Sequence, residues 1–196
     1  MLKRRLVLAC LLVASALALA ACGSSGSGDE SQIEEAIETS ATSSNPADCK
    51  KLLTQRFMEQ TTKSEGSEAV KACEKEATED KGVKAATVSK VEVEGSKATA
   101  DAALAGGGLD GQEVEIALVK QGDQWKLDEL AGFVKFDKAK VIEAFESEFA
   151  KPSSEVSKSL AACIVNAFEE APQAKFEEAL LNGSTEGFEE LAGSCS

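Results

Sequence analysis

The chain has 196 residues, with 21 Lys and Arg against 34 Asp and Glu for a formal charge of −13, and it contains no histidine, no tyrosine and a single tryptophan. Such an acidic balance argues against nucleic acid, whose phosphates demand a lysine and arginine surplus, and against electrostatic adhesion to anionic headgroups. Without histidine or tyrosine the commonest general base, the phenolic donor and the imidazole metal ligand are all missing, so neither a cofactor nor a metal site is expected.

In chain order, Lys3, Arg4 and Arg5 precede an apolar run from Leu6 to Ala21, which gives the basic start, apolar middle and small terminal residues of a secretory signal. At about 16 residues the run is short for a membrane span, which needs about 20. Leu19, Ala20, Ala21 and Cys22 resemble, at every position, the lipobox of bacterial lipoproteins. The resemblance implies that residues 1–21 are a signal peptide, that the Cys22 sulfur receives a diacylglyceryl group, and that the freed amino terminus takes a further acyl chain such as palmitate. It places the protein outside the cytoplasm, in the cell envelope, with the membrane as a partner through these chains. Each buried methylene contributes about 0.8 kcal/mol, so two or three chains anchor stably. Losing three cations and no acids with the signal takes the formal charge from −13 to −16, and this acidity is read as a solvated surface.

Cys10 leaves with the signal and Cys22 is the lipid site, so Cys49, Cys73, Cys163 and Cys195 remain. An even number in an exported chain implies disulfides, and four cysteines allow three connectivities. We expect Cys49 with Cys73 and Cys163 with Cys195, each pair within one segment of the chain. Closing loops of about 25 and 33 residues contributes roughly 3.5 kcal/mol each in the chain-entropy model.

Residues 22–30, glycine and serine for most of their length, read as a tether. The spacing of Ser31 and Glu34 suits a capping box, and Ile33, Ala36, Ile37 and Ala41 follow at helical spacing, giving a first helix over 31–43. Asn45 as cap and Pro46 at the first position open a second over 45–60, with Cys49, Leu52, Leu53 and Phe57 on its buried side. A third over 66–78 carries Ala69, Val70, Cys73 and Ala77. From about Ala85 the period becomes two. A strand over 87–94 turns at Gly95 and Ser96 into a second carrying Ala98, Ala100, Ala102 and Leu104. A third strand buries Val114, Ile116 and Leu118, and Gln121 to Gln124 turn the chain into a fourth, on which Trp125, Leu127 and Glu129 face one way.

Three helices before a meander whose last hairpin ends Gly122, Asp123, Gln124, Trp125, Lys126, Leu127 resemble the NTF2-like superfamily over residues 31–136. This implies an α+β cone, three N-terminal helices on a curved antiparallel sheet, whose mouth holds a small ligand or an active site. Residues 137–196 return to helical period, with the stripe Val141, Ile142, Phe145 and Phe149 broken at Pro152 and the stripe Val156 to Phe168 ended by Pro172. Phe176, Ala179 and Leu180 precede a stop at Asn182 and Gly183; Phe188, Leu191 and Cys195 follow. They form a small all-helical C-terminal domain.

Parity lines the expected pocket with Val114, Ile116, Leu118, Trp125 and Leu127, a wall suited to an apolar small molecule. The same five serve equally as core. Asp101 and Glu115 are strand carboxylates opposite the apolar face and read as surface residues. The sequence therefore points to a non-catalytic, lipid-anchored envelope protein that binds a small apolar ligand or another envelope protein. The alternative from the resemblance is an enzyme of isomerase or cyclase type using a carboxylate in the cone.

Overall fold

The computed structural model describes residues 26–79, 83–151, 154, 156–182 and 185–195. The signal, the lipobox and Cys22 lie outside the described residues, as do Pro152 and Gly183, two of the expected helix breaks. The architecture is α+β, a four-stranded antiparallel sheet with eight α-helices among the described residues.

Helix α1 (Gly26–Thr42) starts ahead of Ser31, inside the expected tether. Its first turn is held by Asp29, whose Oδ1 accepts from Lys120 Nζ at 2.6 Å and from Trp125 Nε1 at 3.0 Å. A carboxylate in that turn also complements the helix dipole. The expected second helix is broken in two, α2 (Ala47–Leu52) and α3 (Gln55–Thr62). At the break Leu53 is extended, with φ −114° and ψ 147°. It bridges to Leu127 on the sheet, and Thr54 N donates to Leu127 O at 2.9 Å. Thr54 then caps α3, its Oγ1 accepting from Phe57 N at 3.2 Å. Asn45 Oδ1 accepts from Ala47 N at 3.1 Å just ahead of α2, but Pro46, expected inside the helix, takes the cap position in place of Asn45. Helix α4 (Gly66–Glu76) is joined to α2 by the Cys49–Cys73 disulfide, Cα atoms 6.1 Å apart.

The strands β1 (Val83–Glu94), β2 (Lys97–Gly106), β3 (Glu113–Gln121) and β4 (Gln124–Lys135) form a meander in sequence order. Its hairpin turns begin with Gly95 at φ 64° and Gly122 at φ 65°, a left-handed conformation that glycine adopts without a side-chain clash. Ala98, Ala100, Ala102, Val114, Ile116, Leu118, Trp125 and Leu127 are buried on one face, against the helices. A bulge interrupts β4: Leu118 pairs with Leu127, yet Ala117 pairs with Glu129, which leaves Asp128 as the extra residue. Parity reverses there. Leu130, not Glu129, joins the apolar face opposite Ile116, and Asp128 and Glu129 instead bond Arg56 of α3.

The chain continues into α5 (Lys138–Phe149), α6 (Lys158–Glu170), α7 (Gln173–Asn182) and α8 (Thr185–Ala192), closing in a 3₁₀ turn, Gly193–Cys195. Asp137 and Ser157 cap α5 and α6. Cys163 and Cys195 form the second disulfide, Cα atoms 5.6 Å apart, so both cysteine pairs are the expected ones. This helical lobe has its own core around Val141, Ile142, Val165, Phe168 and Phe176.

Two glutamines and a ring stack join the lobes. Gln112, 1 % exposed, accepts from Asp137 N at 2.7 Å through Oε1 and donates to Asp137 O at 3.2 Å through Nε2. Gln60 accepts from Leu130 N at 2.8 Å and donates to Leu130 O and Leu181 O, both at 3.0 Å. Phe133, Phe136 and Phe176 stack in series, with centroids 4.6 and 6.0 Å apart. The start of α1 thus lies beside the β3–β4 turn, and the helical lobe packs at the opposite end of β4. Among the described residues no helix is long and apolar enough to cross a membrane.

Candidate functional site

Two apolar recesses lie in the molecule, one in each lobe. The first, about 300 Å³, sits between the sheet and α1, α3 and α4. Ile37 and Ala41 of α1, Leu53 and Phe57 around the helix break, and Leu104 and Leu130 of the sheet contribute to its wall. Of the five residues expected to line a pocket, Val114, Ile116 and Leu127 do so. Leu118 and Trp125 belong to the same buried core but lie nearer the β3–β4 turn, off this recess's lining. At that end Asp29 accepts from Trp125 Nε1 and ties the start of α1 to the sheet. The break at Leu53 and Thr54 puts an extended segment beside Leu127 in place of a continuous helix, so that Leu53 and Phe57 wall the recess.

The recess offers few polar groups. The hydroxyls of Thr61 and Thr62 donate back to α3 carbonyls, Phe57 O at 2.9 Å and Met58 O at 2.8 Å, Cys73 is oxidised in its disulfide, and Ser40 of α1 and Glu76 at the end of α4 complete the polar part of the lining. Such a surface recognises shape and hydrophobicity.

The carboxylates that the sequence offered for catalysis point elsewhere. Asp101 and Glu115 are cross-strand partners on the face opposite Ala100, Ala102, Val114 and Ile116. Glu115 is exposed, as expected, but Asp101 is not a surface residue: it is 6 % exposed. A bulge in β1 at Lys90, φ 49°, swings that side chain over the strand, and its Nζ donates to Asp101 Oδ2 at 2.6 Å. The bond and the charge of Asp101 raise the Lys90 pKa above the ordinary lysine value. In the opposite sense, the Lys120 ammonium and the Trp125 indole hold the Asp29 carboxyl below the usual range. Glu59 is lowered as well, by Gln55 and by the Gly66 amide at the start of α4. Asp29 and Glu59 are therefore committed anions with structural partners, whereas a carboxyl working as a proton donor near neutral pH needs a raised pKa. No cluster of three or more metal-ligating side chains occurs among the described residues.

The second recess was not anticipated. About 770 Å³, it is walled by Phe145 and Phe149 of α5, Leu160, Ile164 and Phe168 of α6, and Phe188 of α8, with Lys63 from the end of α3 and Glu189 also lining it. Each stripe read as ordinary core in the sequence. What no periodicity reveals is that α5, α6 and α8 diverge enough to leave these stripes partly open, with Leu160 37 % exposed.

No family model, curated protein or solved structure matches this chain.

Proposed function

We propose that this protein is a non-catalytic, lipid-anchored component of the cell envelope, outside the cytoplasm, whose NTF2-like domain binds a small apolar ligand between its helices and its sheet. The observation that carries the reading is the recess of about 300 Å³ beside Val114, Ile116 and Leu127, with a mostly apolar wall in which the threonine hydroxyls are already bonded to the backbone. Asp101 and Glu115 stand on the outer face, so neither strand carboxylate reaches a ligand in the recess, and the carboxylate on its lining is Glu76, at the end of α4. The anchor rests on Leu19, Ala20, Ala21 and Cys22. It agrees with a body that lacks a basic surface surplus and with two disulfides, which persist in an oxidising compartment.

Two experiments test the proposal. The intact mass of protein extracted from membranes should correspond to a chain beginning at an acylated Cys22; an unmodified Cys22 terminus, or one at Met1, would contradict the anchor. The full chain with Cys22→Ser, incubated with an envelope lipid extract, should retain one apolar molecule in native mass spectrometry and lose it when Ile116→Trp fills the recess. Conversion of the added molecule to a product would overturn the non-catalytic reading.

A further inference from the structure

From the groove in the C-terminal lobe we infer a second binding site, which takes one linear acyl chain bearing a zwitterionic head. It is separate from the recess beside the sheet and does not rest on that reading. The groove, about 770 Å³, falls within the range of small-molecule sites. Its wall is aromatic: the Phe145 ring lies 5.3 Å from Phe168 and 6.1 Å from Phe188, and Phe168 and Phe188 are 5.7 Å apart. Leu160 continues this wall outward at 37 % exposure, presenting a large apolar side chain to water at the start of α6.

The site is also preformed. Cys163 in α6 is bonded to Cys195 in the terminal turn, which fixes that side of the groove, and less ordering remains for a ligand to impose. Two charges of opposite sign lie on its lining. Lys63 Nζ rests over the Phe188 ring, 4.9 Å from the centroid, and Glu189 follows Phe188 in α8. Among the described residues neither side chain takes part in an ion pair. A head with one anionic and one cationic group complements both. Charge also selects against other occupants, because a body of formal charge −13 repels a second copy of itself and a singly anionic fatty acid at long range. A zwitterion carries no such net repulsion.

The probe is palmitoyl lysophosphatidylcholine below its micelle concentration, titrated calorimetrically into the full chain carrying Cys22→Ser. We expect saturable binding of one molecule. Leu160→Gln, at an exposed position that the fold tolerates, should weaken it about tenfold, and Lys63→Gln about threefold. Ile116→Trp, which blocks the other recess, should leave it unchanged. A nitroxide-labelled lysolipid should broaden the methyl signals of Leu160, Ile164 and Leu180 in the chain with no groove substitution, so the result does not depend on any groove variant folding. Absence of saturable binding overturns the inference, as does binding that Ile116→Trp abolishes and Leu160→Gln spares. Tighter binding of palmitate overturns the zwitterionic head, and a concentration-dependent dimer that excludes the lysolipid assigns the groove to a second copy.

Discussion

The two lobes solve the same problem, covering apolar surface with small elements, in different ways. The sheet lobe buries an aliphatic face built on alternation: Ala98, Ala100, Ala102, Val114, Ile116 and Leu118 stack across two registered strands, and Trp125 lies at one end. Extended strands hold such side chains at fixed spacing, so the face is covered wherever helices reach it. The helical lobe relies on phenylalanines from short helices, which meet edge to face at Phe145 and Phe168 and tilted at Phe168 and Phe176 but leave the outer side of Phe149 and Leu160 open. Rings cover more area per residue than small aliphatics, yet here they leave a groove of about 770 Å³ with Leu160 37 % exposed. The comparison teaches that closure depends on what crosses the gap. In the first lobe Asp29 and the Leu53–Leu127 bridge do so; in the second the Cys163–Cys195 bond ties α6 to the last turn.

This contrast can be broken most severely at the two cores. Trp125→Ala should cost about 3–5 kcal/mol in denaturant unfolding, since a fully covered ring leaves a cavity and Asp29 keeps only Lys120 of its two partners. Phe149→Ala, facing the groove, should cost far less than the usual core ring. Equal losses would mean that the groove is closed in solution.

Removing the second disulfide with Cys163→Ala and Cys195→Ala should cost roughly 3.5 kcal/mol. The loss should appear as faster hydrogen exchange in α6 and α8 while β2 and β3 keep their protection. Uniform loss across both lobes would show that they unfold as one unit.

Gln112→Ala removes the acceptor of Asp137 N at a half-buried junction, while Asp137 O keeps the Val141 amide, a penalty of about 1–3 kcal/mol. It should loosen the lobes from each other without altering either core, visible as exchange confined to the β4–α5 connection.

The smallest effect concerns pH. Because Lys120 and Trp125 lower the Asp29 pKa in the folded state, its contribution is fully present above the unfolded carboxyl value of about 3.9 and is lost as pH falls through the lower folded value. The emission of Trp125, the single tryptophan, should therefore shift in acid, and Asp29→Asn should show the shifted emission already at neutral pH.

Much of the fold was readable because alternation and helical spacing are local signals. Val114, Ile116, Leu118, Trp125 and Leu127 all face inward as parity demands, and both cysteine pairs follow from their segments. What escaped was decided by single residues acting over distance. Leu52, Leu53 and Phe57 have the spacing of one continuous helix, yet the bond from Thr54 N to Leu127 O outweighs it; Thr54, a good cap residue, was the only local sign. The β4 bulge at Asp128 leaves no mark in residue type, so Glu129 and Leu130 exchange faces unannounced. Glycine and serine before Asp29 suggest a loose chain, and only the contact with Lys120 and Trp125 explains a helix there. The groove needs the relative tilt of three helices and a lysine from α3, which no stretch of sequence contains.

The most direct test of the proposed function is a methyl NMR titration of the full chain, carrying Cys22→Ser, with an envelope lipid extract. We expect saturable shifts at Ile37, Val114, Ile116 and Leu127, the methyls around the recess beside the sheet, with the position of Leu118 unchanged near the β3–β4 turn. Methyls of Ile37, Val114, Ile116 and Leu127 that stay unmoved at saturating extract would contradict a ligand-binding role for this recess.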